Sequence, residues 1–262
     1  MRPPVEWAEA AGALASARRL LVALDFDGTL APLVANPEDS RVLPAAAQAL
    51  ERLAAAPRAV LALVSGRPAE DLARLARPPE GTWLVGSHGA EHGRVRDHRA
   101  VIDPVVLSPG RRERLAFVTR ELEVLAGGEP GAWVERKPFA AVLHTRRMAD
   151  RGAAAALEAR GAELGRAAGA HVVPGKMVVE VAVLPAGKAG ALTRLKQATS
   201  ADRLVFAGDD VTDELALRTI RPPDLGIKVG PGASAAPLRL ADPAALAQFL
   251  DLLADRLGAA PS

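Results

Sequence analysis

Four short apolar runs along the chain each stop on a small or polar residue: "LLVALD" on Asp25, "AVLALVS" on Ser65, "TWLVGSH" on His88 and "RLVFAGD" on Asp209. Runs of this length without polar alternation fit strands buried on both faces. Between them, "PAAAQALERLAAA" (44–56) and "PAEDLARLA" (68–76) space their Leu and Ala residues at helical period. Strand and helix in alternation predict an α/β fold, a Rossmann-like, doubly wound core around a parallel sheet. Working groups in such sheets collect beyond the carboxyl ends of the strands, so Asp25, Ser65, His88 and Asp209 are expected to share one crevice.

The middle of the chain has a different period. Residues 111–126 read as a helix, "AWVERKPFAAVLHTR" (132–146) as two extended pieces around Pro138, and about 150–168 as a second helix. The segment "AHVVPGKMVVEVAVL" (170–184) alternates, which marks a sheet with one face packed and one exposed. The expected organisation is a core of 1–105 and 185–262 with an α/β cap domain, 106–184, inserted between its halves. The closing "GAAPS" reads as a frayed tail.

Composition narrows the classes of function. Lys and Arg total 33 against 31 for Asp and Glu, a net charge of +2, with no run of like charges. Nothing there invites nucleic acid or an anionic membrane, and no apolar run is long enough to span a bilayer. Cysteine is absent, which excludes disulfides, thiolate metal sites and a thiol nucleophile. A cytoplasmic monomer is expected. Only five of the 33 basic residues are lysines: Lys137, Lys176, Lys188, Lys196 and Lys228. A compact ammonium is not interchangeable with a guanidinium fork, so each invites a question about its surroundings.

The chemistry starts at "DFDGT". A strand that ends on Asp25 and Asp27 brings two carboxylates together, each raising the other's proton affinity unless a cation is shared. A carboxylate that attacks phosphorus needs magnesium to cancel the repulsion between two anions, and the two oxygens of Asp25 can serve both roles. Asp27 could then protonate the departing alcohol and later take a proton from water. Gly28 allows the tight turn between them. "FAGDDVTDE" supplies Asp209 as a further magnesium ligand, with Asp210 and Asp213 as partners around it. Thr212 or Asp213 is also placed to cap the following helix. Ser65 in "VSGR" offers a hydroxyl to phosphoryl oxygens. Lys188 sits near a helix start, where a cation opposes the helix dipole unless an anion faces it.

In this order the motifs resemble the haloacid dehalogenase superfamily of aspartate-based phosphatases, and the intervening segment resembles its C2-type cap. Within that superfamily the stretches "DFDGTLAPLVANPEDSRV", "VSGRP", "GSHGAEHG", "ERKPFAAVLHTR", "GKMVVEV", "GKAGAL" and "FAGDDVTDE" are similar to the trehalose-6-phosphate phosphatases. The resemblance implies Asp25 as nucleophile and Asp27 as general acid/base. It implies magnesium on Asp25, the main-chain carbonyl of Asp27 and Asp209, and Ser65 and Lys188 as phosphoryl stabilisers. For the sugar it implies Glu135, Lys137 and Glu180, with Arg67, His88 and Lys176 as further contacts. Phe26 stands where that family often has Tyr, a change that touches none of these roles.

Spacing supports the cap residues separately. Glu135 and Lys137 are two apart, as strand neighbours on one face are, and Lys176 and Glu180 are an even number apart, opposite Met177, Val179 and Val181. Carboxylates and ammoniums on one face suit a polyol, and they equally suit a salt-bridged solvent face. The histidines at 92, 98, 144 and 171 show no ligand spacing. The expected substrate is a small sugar phosphate. The rivals are another sugar phosphate as substrate, a non-catalytic regulatory module of this fold, and a signalling receiver, which is far shorter and gives Asp27 no task.

Overall fold

The computed structural model describes residues 4–184 and 187–258, so the tail at 259–262 lies outside the described residues. The chain divides into two compact units, one running to Asp103 and resuming at Gly187, the other lying between.

The first unit opens with α1 (Val5–Ala15), β1 (Leu20–Leu24), α2 (Pro44–Ala55), β2 (Ala59–Val64), α3 (Ala69–Ala76), β3 (Trp83–Gly86), β4 (Glu91–Arg96) and β5 (Arg99–Ile102). The second unit contains α4 (Pro109–Gly127), β6 (Trp133–Arg136), β7 (Ala140–His144), α5 (Arg151–Ala167), β8 (His171–Gly175) and β9 (Val178–Ala182). The first unit then resumes with α6 (Lys188–Ala198), β10 (Arg203–Gly208), α7 (Val211–Leu217), β11 (Leu225–Val229), β12 (Leu238–Leu240) and α8 (Pro243–Gly258).

The sheet of the first unit runs β12-β11-β10-β1-β2-β3-β4-β5. From β12 to β3 the pairing is parallel. The strand β1 lies near the middle and is buried at every position. Its residues divide by the period of two: Leu20, Val22 and Leu24 join the core under α1, α2, α3 and α8, while Leu21 and Ala23 join the core under α6. This is why the run shows no polar alternation.

One edge departs from the sequence expectation of parallel strands. Strands β4 and β5 form an antiparallel hairpin beside β3. Its two turn residues, Asp97 and His98, have φ of 51° and 59°, the left-handed geometry that matches strand twist in tight hairpins. The charges of "EHGRVRDHRA" hide this hairpin in the sequence, because its outer strand faces solvent at alternate positions.

The second unit is an antiparallel sheet, β6-β7-β9-β8, with α4 and α5 on one face. Val134, Ala141, Leu143, Val179 and Val181 pack against those helices. The cross-strand partners Glu135, Val142 and Glu180 therefore belong to the opposite face. Lys176 does not share that face. It occupies the turn between β8 and β9 with Met177, whose φ is 59°, so the two-residue parity argument fails where the chain leaves strand geometry.

Candidate active site

Four neighbouring parallel strands, β10, β1, β2 and β3, end at the same edge of the sheet and carry Asp209, Asp25, Ser65 and His88 immediately beyond them. The Asp25 N–H donates to the Ala207 carbonyl at 2.9 Å, and the Ser65 N–H to Val85 at 2.9 Å, which continues the ladder up to the functional side chains. The His88 N–H donates to the Ser65 carbonyl at 3.0 Å, with His88 held at φ 54°. A Cβ at Gly66 would lie 2.4 Å from the His88 ring, so glycine is required for that approach.

At the centre Lys188, the first residue of α6, is buried with its ammonium 2.7 Å from Asp25 Oδ1 and 2.6 Å from Asp213 Oδ1. This answers the conflict between a lysine and the start of a helix: two carboxylates face the charge. The other oxygen of Asp213 accepts the N–H groups of Asp209 and Asp210, each at 3.1 Å. Asp210 caps α7 and forms a capping box with Asp213, accepting the Asp213 N–H at 2.7 Å and the Thr212 hydroxyl at 2.8 Å. Sequence pattern pointed to Thr212 or Asp213 as the cap; it belongs to Asp210, because Asp213 stands at the third helical position. Asp213 thus ties α7, the Asp209 backbone and Lys188 into one unit.

One oxygen from each of Asp25, Asp209 and Asp213 lies within 4.8 Å of the others. Lys188, even with the Lys228 ammonium acting on Asp209, does not balance these charges. Burial, reinforced by Asp210 and Asp209, raises the Asp25 carboxyl to about 6 against the pull of Lys188. Burial, Asp213 and Asp210 carry Asp209 to about 6 as well. Burial and Asp25 push Asp213 well above its ordinary value. Burial opposes the charge of Lys188 most strongly, yet Asp25 and Asp213 outweigh it and raise its pKa. A group of oxygen donors short of positive charge fits a hard divalent cation such as magnesium. Gly28 makes room for the Asp209 carboxylate: its φ is 78°, and a Cβ there would stand 2.1 Å from Asp209 Oδ2. Lys228, to which the sequence assigned no role, is buried and donates to the main-chain carbonyls of Asp209 and Val229, both at 2.6 Å. Its signal was the rarity of lysine in this chain.

Asp27 is held by Arg67, whose Nε and Nη2 donate to its two oxygens at 2.6 and 2.8 Å. Arg67, grouped with the sugar contacts by the sequence, is therefore engaged inside the first unit. Its N–H also donates to Ser65 Oγ at 3.2 Å.

A family model, trehalose-phosphatase, matches residues 23–243, which takes in Asp25, Asp27, Ser65, Arg67, His88, Lys188, Asp209, Asp210 and Asp213. The chain belongs to the trehalose-phosphatase family. It is 34% identical over 264 residues to the trehalose-phosphate phosphatase of Mycobacterium tuberculosis (strain H37Rv), covering 94% of this chain and 64% of that protein. It is 37% identical over 261 residues to an uncharacterized glycosyl hydrolase of the same strain, covering 92% of this chain and 19% of that one. The chain thus spans about a fifth of one curated relative and somewhat under two thirds of the other. In fold it matches the C-terminal domain of C. albicans trehalose-6-phosphate phosphatase with a TM-score of 0.78, at 21% identity and covering 97% of this chain and 98% of that one.

On the face of the second unit's sheet opposite α4 and α5, Lys137 pairs with Glu180 at 2.6 Å, and Glu135 Oε2 lies 2.9 Å from His144 Nε2. The His144 hydrogen bond, with help from Lys137, holds the Glu135 carboxyl below its ordinary range against burial. The His144 ring stacks on Trp133, centroids 4.6 Å apart and planes 3° from parallel, and the Arg147 guanidinium lies 4.7 Å from the Trp133 centroid. Sequence spacing gave His144 no ligand role; its partner across the β6–β7 pair is what gives it a place here.

Proposed function

We propose that this chain is a magnesium-dependent phosphatase that hydrolyses trehalose 6-phosphate through an aspartyl-phosphate on Asp25. The observation that carries the reading is the buried Lys188 bridging Asp25 and Asp213 beside Asp209, in a chain of the trehalose-phosphatase family. Magnesium held by Asp25, Asp209 and the main-chain carbonyl of Asp27 would lower the repulsion between the attacking carboxylate and the phosphoryl oxygens.

The chain's own groups account for the rest. An Asp25 oxygen bonds to phosphorus as the bond from phosphorus to the sugar oxygen breaks, and the proton of Asp27 passes to that oxygen. A water oxygen then displaces Asp25, with Asp27 taking its proton. Lys188 and the Ser65 hydroxyl donate to the phosphoryl oxygens. Glu135, Lys137 and Glu180, set on one face of an antiparallel sheet, are assigned to the sugar hydroxyls, with His88 and the exposed Lys176 as outer contacts. Among the described residues no helix is long and apolar enough to cross a membrane.

The test is phosphate release from a panel of sugar phosphates, with magnesium and with chelator, for the parent chain and Asp25→Asn. Trehalose 6-phosphate is expected to be the best substrate, chelation to remove turnover, and Asp25→Asn to abolish it on every substrate. Turnover that persists in chelator would sink the metal assignment; steady turnover by Asp25→Asn would sink the nucleophile.

A further inference from the structure

Asp27 is gripped from more sides than a general acid requires for solubility or charge balance. Besides the Arg67 fork, the hydroxyl of Ser40 donates to Asp27 Oδ1 at 2.8 Å. Ser40 is completely buried, in the segment "NPEDSRV", where sequence pattern alone assigns no chemical role. A single 3-10 turn, Pro37–Asp39, delivers it, capped by Asn36 accepting the Glu38 N–H at 3.3 Å. The same turn fixes Arg67: the Pro37 carbonyl accepts from Arg67 Nη2 at 2.9 Å. The guanidinium also lies 5.5 Å from the Phe26 ring centroid. Two separate segments of the first unit therefore converge on the carboxylate of a third.

The bonds are distributed unevenly. Among the described residues, Oδ1 accepts from both Ser40 and Arg67 Nη2, while Oδ2 accepts from Arg67 Nε alone. A carboxylate oxygen has about two lone-pair sites, so Oδ1 is saturated and Oδ2 keeps one direction open. We propose that Ser40 and Arg67 are positioning residues that hold Oδ1 and turn Oδ2 toward the leaving oxygen, making Oδ2 the atom that gives and takes the proton. The inference rests on the reading of Asp27 as general acid/base and removes Arg67 from the sugar contacts. Neither residue touches the substrate; both act by fixing the direction of a bond.

The experiment measures kcat/KM for aryl phosphates of graded phenol acidity, ending with an alkyl phosphate, for the parent chain, Ser40→Ala, Arg67→Lys and Asp27→Asn. This constant reports formation of the phosphoenzyme, the step in which the leaving oxygen is protonated. General acid catalysis contributes about 10²–10⁴-fold, so Ser40→Ala is expected to lose roughly tenfold on the alkyl phosphate and under about twofold on p-nitrophenyl phosphate, whose anion needs little protonation. Arg67→Lys keeps a charge but not the fork and is expected to steepen the dependence further. A uniform loss across the series, or none, in both variants overturns the proposal while Asp27→Asn alone steepens. If Asp27→Asn shows no steepening, the general-acid reading fails and the positioning roles fall with it. Thermal midpoints of the variants, expected within a few degrees of the parent, separate this effect from a loss of fold.

Discussion

At the scale of single residues, the site is made of side chains that conflict with the elements carrying them: carboxylates at the ends of buried strands and a buried ammonium at a helix start. Asp25 and Asp209 end apolar runs, and no packing argument wants a carboxylate there, so both stood out. Lys188 stood out because it opposes the dipole of its own helix. Ser40 and the Arg67–Asp27 pair were not legible, because their meaning lies in segments that meet only in three dimensions. Gly28 gives a test at this scale. Its φ of 78° and the 2.1 Å approach of a Cβ to Asp209 Oδ2 leave no space for a methyl group unless Asp209 moves. Gly28→Ala is therefore expected to raise the magnesium concentration for half-maximal activity at least tenfold, and to destabilise the fold by about 1 kcal/mol or more through the left-handed backbone. Magnesium titrations at constant substrate check it; an unchanged requirement would mean that Asp209 is not a ligand.

At the scale of elements, continuous apolar strands and helical spacing located β1, β2, β3 and β10 and the helices between them, since burial on both faces leaves a pattern that a sequence shows directly. The β4–β5 hairpin was missed because half of its residues face solvent. Lys176 was misplaced because parity holds only inside a strand. The β6–β7–β9 face carries the corresponding prediction. Glu180 is nearly buried and paired with Lys137 at 2.6 Å, so the pair is held in place before any ligand arrives. If this face holds the distal sugar, Lys137→Ala and Glu180→Gln should each lower kcat/KM for trehalose 6-phosphate by about ten- to a hundredfold, as expected for a lost charged hydrogen bond. A small aryl phosphate should lose under about threefold. The measurement is the ratio of the two substrates for each variant. Equal losses would assign these side chains to the stability of the second unit and not to recognition.

At the scale of the whole molecule, the site is a charge imbalance built into a buried place, and that imbalance is linked to stability. Asp25 and Asp209 sit at about 6, above their value of about 4 in an unfolded chain. Between those two values the folded chain binds more protons than the unfolded one, so metal-free stability falls as pH rises through that window. Above about pH 6 the penalty is fully present; below about pH 4 it has vanished. A divalent cation removes the same penalty, and it competes with protons for the same oxygens. The rise in thermal midpoint on adding magnesium should therefore be large at pH 7.5, where an excess of about a hundredfold over the dissociation constant stabilises by about 2.7 kcal/mol, and should shrink toward zero at pH 5. Asp209→Asn gives the internal control. By removing one of the like charges it should make the metal-free chain more stable at pH 7.5 than the parent while abolishing most of the magnesium-induced shift. A magnesium shift of equal size at both pH values, or an Asp209→Asn chain that is less stable without metal, would show that the carboxylates are balanced within the protein, and the physical case for a cation at this site would fail.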